Sequence, residues 1–448
     1  MDPDLSELSV GQTLLSPLGQ TALGKAAQTA DPDSLSAVQA LRDEFGPELA
    51  AEALTQERLR RKAVAKFGPV AARSLYFTAT ALEQATRSRV TAWRAERLVA
   101  TGVPGVVDLC CGIGADALAA ANAGLDVIAV ELDERTAALA AANLDIQQTH
   151  ERIARQGDTA LGHVGASSGR ARVCCGDATA LWSSLSQEHP DWAVFIDPAR
   201  RTEAKGRSWR VEDLQPSWEF VLSLLSSGHS CVVKLGPGFP KELIPDAVDA
   251  VWVSDGGDLV ELSLWTPGSG RRTAVILGDD GREDALSLET DDESRSRVSS
   301  DDNVVSPSAN ELVAGVDSAV NSDDVRYILE PDPAVSRAGL SAQIAPDGAW
   351  QLSEHAGYLA SETAIVTPFA QCFEVLETLP FNEKALRAWV KAHEVGVLEI
   401  KKRGVEANPA VLRRALRPSG ANKATLIISP TAQGTKVFVV RRVSAGLA

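Results

Sequence analysis

From Val106 onward the chain alternates short, continuous apolar runs with segments of helical spacing: VVDLC at 106, VIAVE at 127, ARVCC at 171, WAVFID at 192 and CVVKLG at 231. A strand that is apolar throughout needs cover on both faces, and a parallel sheet flanked by helices supplies it. After residue 249 the runs AVWVSDG, LVELSLWT and TAVILG follow one another across short Gly/Asp and Gly/Ser turns, which predicts antiparallel strands finishing the sheet. The expected core is a doubly wound, Rossmann-like α/β domain of about seven mostly parallel strands over residues 101–278.

Different patterns flank this core. Residues 1–100 are rich in Ala, Leu, Arg and Glu, with helical spacing over 34–44, 55–66 and 77–100, and predict a helical N-terminal domain. Residues 279–325 are Ser/Asp-rich and contain no aromatic residue, a composition that cannot offset ordering entropy by burial; they predict a flexible linker or insertion. Residues 326–448 form a further globular region ending in a small α/β module at 380–448. In it GVLEIKK (396–402) reads as a strand, Asn408 and Pro409 as the N-cap and first turn of a helix, and ATLIIS and KVFVVRRV as two more strands.

The formal charge of -16 argues against non-specific coating of nucleic acid, but the charge is unevenly spread. Residues 384–448 hold 13 Lys/Arg against 3 Glu, residues 51–100 hold 10 against 4 acids, and residues 279–324 hold 14 acids against 3 Arg. Two basic surfaces are therefore expected, in LTQERLRRKAVAKFG (54–68) and around Lys401, Lys402 and Arg403, as phosphate contacts or as solvated helix faces. No run of ~18 apolar residues is present to span a bilayer. The acidic start lacks the features of a secretory signal, so a cytoplasmic location is expected. The six cysteines and six histidines show no ligand or triad spacing, so no metal is expected.

The chemistry concentrates at the ends of the apolar runs. DLCCGIGAD (108–116) is a Gly-rich turn between a strand and a helix, where backbone can approach a ligand and free N–H groups point outward. Asp116 lies within the turn where a dinucleotide loop would cradle a pyrophosphate, and Asp108 at the strand end would also repel one. A cofactor with an ammonium and a sulfonium and no phosphate, S-adenosylmethionine, fits better. Asp108, Cys110, Gly112 and Gly114 are the candidate loop residues. Glu131, ending the next strand, is placed for ribose hydroxyls, and Asp177 with Ala178 for adenine, although Asp177 would equally serve as a helix N-cap. FIDPARR (195–201) puts Asp197 and Pro198 at the mouth of the sheet. Asp197 is the candidate catalytic acceptor for a nucleophilic amine, with Arg200 and Arg201 beside it for substrate; the alternative is a plain strand-end turn. KLGPGFP (234–240) is either pocket wall or tight turn.

At these residues the chain resembles the bacterial, actinobacterial-type class I S-adenosylmethionine-dependent methyltransferases that carry a C-terminal THUMP-like domain, and more distantly trimethylguanosine synthases. The likeness rests on RLRRKAVAKFG, LEQATRSRV, DLCCGIGAD, FIDPARR, KLGPGFP, YILEPDPAV (327–335) and LEIKKRGVEANPAVLRRALRPSG (398–420). Ala199 and Arg200 stand where amino-methylating enzymes carry Pro and an aromatic. The resemblance implies methyl transfer to a nitrogen of RNA, because THUMP domains proper bind RNA. A small metabolite or a protein as acceptor, or an inactive RNA-binding module, are the alternatives.

Overall fold

The computed structural model describes residues 10–157, 170–200, 210–279, 281–288, 325–345, 349–353 and 356–443. They fall into two compact units, Met1–Ile244 with Ser263–Gly268, and Pro245–Leu262 with Ser269–Ala448.

After the short helix Val10–Leu15 the first unit runs through three longer helices, Pro17–Ala27, Leu35–Phe45 and Pro47–Ser74. Ser16 and Ser34 accept the N–H groups of Gly19 and Ala37 at 3.1 and 3.3 Å, satisfying donors that a helix start leaves free. Ala22, Leu23, Leu41, Ala50 and Leu54 pack into one apolar cluster. The third helix breaks at Gly68, whose φ of 74° only glycine adopts freely, followed by Pro69, which has no N–H to donate.

Five parallel strands follow: Gly105–Leu109, Asp126–Glu131, Ala171–Cys175, Ala193–Ile196 and Cys231–Leu235. Their order across the sheet is fifth, fourth, first, second, third. The first strand is thus central and every one of its residues is buried, Asp108 included. Helices and parallel sheet share one unit, and helix Ser88–Ala100 ends where the sheet domain was expected to begin.

In the second unit, Arg272–Leu277 pairs in parallel with Asp249–Asp255, so the antiparallel finish expected of the sheet holds only in part. Two short turns flank the intervening strand Asp258–Thr266, and two reversals return the chain to its first direction. Glu283–Leu288, inside the segment expected to be linker, is a strand antiparallel to Arg272–Leu277. Its alternate positions are exposed while Leu286 and Leu288 are half-buried, so it reads as polar despite being ordered. The rest of the expected linker, 289–324, lies outside the described residues.

A seven-stranded sheet closes this unit. Strand Ala370–Pro380 runs antiparallel to Gly434–Arg442, which runs antiparallel to Asn422–Thr431, itself parallel to Val395–Lys402. Helices Glu383–Ala392 and Pro409–Leu416 are capped by Asn382 and Asn408, and the second follows its sequence signal to the residue. Leu386, Val390 and Leu416 pack under the sheet against Leu426 and Val437.

Candidate active site

The carboxyl ends of the first, fourth and fifth strands meet in register. Leu109 pairs with Ile196 and Ile196 with Val233, so the next residues, Cys110, Asp197 and Lys234, come at the ends of three neighbouring strands. Lys234 and Asp197 form an ion pair, with the ammonium on Oδ2. The Lys234 side chain is 13% exposed and that of Asp197 33%, so the pair sits at the edge of solvent. Pro198 behind it is buried, and the chain then turns into the two-residue strand Ala199–Arg200, paired with Leu214–Gln215. The Arg200 side chain and all of Arg201 lie outside what is described.

The Gly-rich turn is built by enforced backbone. Cys110 has φ 68°, Gly112 57° and Gly114 79°. The two glycines take these values freely, whereas Cys110 is held there by its neighbours. Gly112 donates its N–H to Glu131 Oε2 at 2.9 Å, and Asp133 donates to Oε1 at 3.0 Å, so each oxygen of Glu131 keeps capacity for a further donor. Buried Asn143 donates to the Ile113 carbonyl at 2.9 Å and to that of Tyr76 at 3.1 Å, and accepts from the Tyr76 N–H at 2.7 Å. One amide thereby ties the turn to the N-terminal helical segment.

Asp108 lies 1% exposed at the root of this turn, and neither carboxylate oxygen has a hydrogen-bond partner among the described residues. Its carboxyl is pushed up to about 7, first by burial and next by the Asp197 charge, with Glu131 adding and Arg94 and Lys234 opposing. A buried carboxylate without a donor is costly in the free protein, and a cationic ligand relieves that cost. Burial and then Asp108, Glu131, Asp197 and Asp177 also hold the Cys110 thiol protonated, which removes it as a nucleophile. Four carboxylates around one turn favour a cationic cofactor and disfavour a pyrophosphate. The residues present fit S-adenosylmethionine.

Asp116, in the first turn of the helix that follows the loop, points inward. It pairs with the buried Arg94 of helix Ser88–Ala100 and accepts from Thr86 Oγ1 at 3.2 Å. The Arg94 guanidinium lies 4.9 Å from the centre of the Phe195 ring, and these residues with Asp108 line a small cavity. The sequence marks neither Arg94 nor the Lys234–Asp197 pairing. Strand register could have found the second, since Asp197 and Lys234 end equivalent apolar runs.

Asp177 takes the capping role: its Oδ1 accepts from the Thr179 N–H at 2.7 Å, the Thr179 hydroxyl at 2.6 Å and the Ala180 N–H at 3.4 Å, holding its carboxyl below the usual range. Its Oδ2 remains open, and Ala178 beside it is buried.

The expected phosphate-binding cations are mostly engaged within the fold. Lys401 pairs with Glu330 at 2.6 Å, and Arg403 donates to the carbonyls of Gly357 and Pro331 while lying over the Tyr358 ring. These two side chains tie the end of strand Val395–Lys402 to strand Tyr327–Pro331 and to Gly357, where phosphate contact or a solvated helix face was expected; among the described residues, exposed Lys402 donates to the Val405 carbonyl. In the N-terminal run Arg60 and Lys66 donate to backbone carbonyls, and Arg61 also pairs with Glu57. Lys66 occupies three carbonyls at the end of helix Ala79–Gln84; burial and then the nearby Lys234 charge lower its affinity for its proton. Among the described residues no helix is long and apolar enough to cross a membrane, and no group of three or more His, Cys, Asp or Glu could hold a metal.

A parallel sheet with a Gly-rich first turn, a carboxylate ending the second strand and an acid-Pro step after the fourth defines a class I methyltransferase. The chain belongs to a family of S-adenosylmethionine-dependent methyltransferases: it is 31% identical over 391 residues to an uncharacterized S-adenosylmethionine-dependent methyltransferase of Mycobacterium tuberculosis strain H37Rv, covering 84% of this chain and 92% of that protein. The counterpart in strain CDC 1551 matches equally. The crystal structure of a putative methyltransferase from Porphyromonas gingivalis W83 has the same fold, with a TM-score of 0.67 at 20% identity over 95% of this chain and 99% of that one. The THUMP domain-like family matches residues 370–442, and a domain of unknown function, DUF8688, matches 7–63. The enzyme uses S-adenosylmethionine.

Proposed function

We propose that the enzyme methylates a nitrogen of an RNA base in the cytoplasm, and that Asp197, paired with Lys234 at the strand ends, receives that nitrogen. The reading is carried by the ion pair of Asp197 with Lys234 at adjacent strand ends, two residues beyond Phe195, the register partner of the unpartnered Asp108.

In this reading Asp108 and the Cys110–Gly114 turn hold the cationic end of the cofactor, Glu131 accepts the ribose hydroxyls, and Asp177 Oδ2 with Ala178 flanks adenine. S-adenosylmethionine supplies a methyl group activated by its sulfonium. Lys234 occupies Asp197 Oδ2 and leaves Oδ1 to accept an N–H, turning the nitrogen lone pair toward the cofactor loop. Orientation of this kind can supply much of a methyl-transfer rate, since the reacting atoms need only be held at about 3 to 3.5 Å. The Lys234 ammonium also offsets the Asp197 charge, so the site does not recruit a proton onto the nitrogen. That suits a neutral base nitrogen better than an aliphatic amine, which arrives as a cation. Pro198 fixes the direction of the chain behind the carboxylate.

The test is transfer of tritiated methyl to RNA, protein and small-molecule fractions by the wild type, Asp197→Ala and Asp197→Asn. Label in RNA, lost in Ala with the cofactor still bound, is the expected result; activity kept in Asn assigns orientation, and equal loss assigns proton acceptance. Near-normal turnover in both variants refutes the role of Asp197. Label confined to protein or small molecules refutes the RNA substrate.

A further inference from the structure

The C-terminal module carries a second cluster of cations, distinct from Lys401 and Arg403 and at the opposite end of the strand they close. Helix Glu383–Ala392 ends at His393, and helix Pro409–Leu416 ends at Arg417. Hydrogen bonds bring these two ends together. Arg387 Nε donates to the Ala415 carbonyl at 2.8 Å, Ser419 N–H to Val395 at 2.9 Å, and Asn422 to the carbonyls of Glu394 and His393 at 2.9 Å each. Lys391, Arg414, Arg417 and Lys423 therefore stand around one junction, at the start of strands Val395–Lys402 and Asn422–Thr431. All four are exposed, and their side chains make no hydrogen bond or ion pair among the described residues. The acids nearest in sequence are Glu394, beside Lys391, and Glu406, nearest to the other three.

An aromatic platform sits in the same place. The exposed His393 ring stacks on Trp389 with centroids 4.2 Å apart and planes 22° apart. Its Nδ1 is held 2.9 Å from the Trp389 carbonyl, and Trp389 Nε1 donates to Glu377 at 2.7 Å, so the stack is fixed from both sides. Free cations around a fixed aromatic stack match single-stranded nucleic acid, whose phosphates take the cations and whose bases stack. An anionic membrane surface would use the cations and leave the stack without a role.

We propose that this junction, Lys391, Arg414, Arg417 and Lys423 around the Trp389–His393 stack, is where the enzyme docks single-stranded RNA. The inference rests on the RNA reading above and moves the docking surface away from Lys401 and Arg403. The cations carry affinity without sequence preference, and the stack takes one base. Lys401 and Arg403 contribute only by holding the module together.

The experiment titrates the full chain with a short mixed-sequence single-stranded RNA over a range of salt, comparing wild type with the quadruple variant in which Lys391, Arg414, Arg417 and Lys423 become Gln, and with His393→Ala. All five positions are exposed, and thermal melting checks that folding is kept. Each lost phosphate contact should flatten the slope of log affinity against log salt by about 0.7, and His393→Ala should weaken binding by roughly 5- to 150-fold. S-adenosylhomocysteine should bind all three proteins alike. Wild-type binding that the quadruple variant reproduces in slope and strength overturns the docking surface and leaves the RNA substrate standing. No RNA binding by the wild type overturns both. Vesicles of phosphatidylserine and phosphatidylcholine that displace the RNA overturn it in favour of a membrane.

Discussion

Replacing Asp108 by Asn should stabilise the empty protein while weakening its hold on the cofactor. The carboxyl is buried and moved from 3.8 to about 7, chiefly by burial and the Asp197 charge. The unfolded chain releases this proton near 3.8 and the folded protein releases it only near 7, so between these values the folded state binds more protons. Stability therefore falls as pH rises through that window and levels off above it. At about 1.4 kcal/mol for each tenfold change in acidity, the loss amounts to roughly 4 kcal/mol. Asn carries no charge and escapes it, although its amide inherits two polar positions without partners. Urea unfolding at about pH 4 and about pH 8, each with and without S-adenosylmethionine, reads the effect. Without cofactor the two proteins should be close at the lower pH, and the variant should be more stable by up to about 4 kcal/mol at the higher. With cofactor the order should reverse, because only the wild type offers a carboxylate to a cation. Calorimetry near pH 7 should find proton release on cofactor binding to the wild type and little to the variant. Parallel stability curves for the two proteins across the window would refute the reasoning.

Two further outcomes follow from the same site. Arg94→Met leaves Asp116 facing a buried gap and should cost about 3 to 5 kcal/mol in urea unfolding, part of which returns in the double variant with Asp116→Asn; a cost below ~1 kcal/mol would show that the pair is not structural. Glu131→Ala removes the acceptor of the Gly112 N–H and the expected ribose contacts, and should weaken S-adenosylhomocysteine binding by about 1.5 to 3 kcal/mol for each charged hydrogen bond lost. Unchanged calorimetric affinity would exclude Glu131 from the cofactor site.

What the sequence made legible was periodic. Apolar runs announce the four inner parallel strands because a central strand has no solvent face, while the edge strand Ala171–Cys175 carries exposed Arg172, and Asn408 with Pro409 announces a helix because both residues suit its start. Direction was less legible: the strands at 249–255 and 272–277 look like neighbours in a meander, and only counting turns shows that they run the same way. Glu283–Leu288 was hidden because an edge strand needs apolar residues on one face alone. Charge was the least legible signal. Lys401 and Arg403 look like a free patch until Glu330 and the carbonyls they reach are seen, and those partners lie far away in sequence. Asp177 was ambiguous for a different reason, since a strand-end acid before a helix caps it whether or not a ligand is also met. Of the site itself, the loop and Asp197 were visible as motifs, while Lys234 was visible only as the residue before a turn.

The bond pattern of Asn143 bears on how such an enzyme can be shortened or recombined. Its amide is shared between Tyr76, in the helical segment, and Ile113, in the cofactor turn, while Asp116 in the same turn leans on Arg94. A version of the chain begun at residue 101 would keep all five parallel strands and every candidate cofactor residue. It would nevertheless lose Tyr76 and Arg94, leaving the buried Asn143 amide with the Ile113 carbonyl alone and the half-buried Asp116 carboxylate without its cation. The catalytic half is therefore not a portable cassette: its ligand loop is clamped by residues that come before the sheet begins, and a homologue grafted at that point would have to bring its own helices with it.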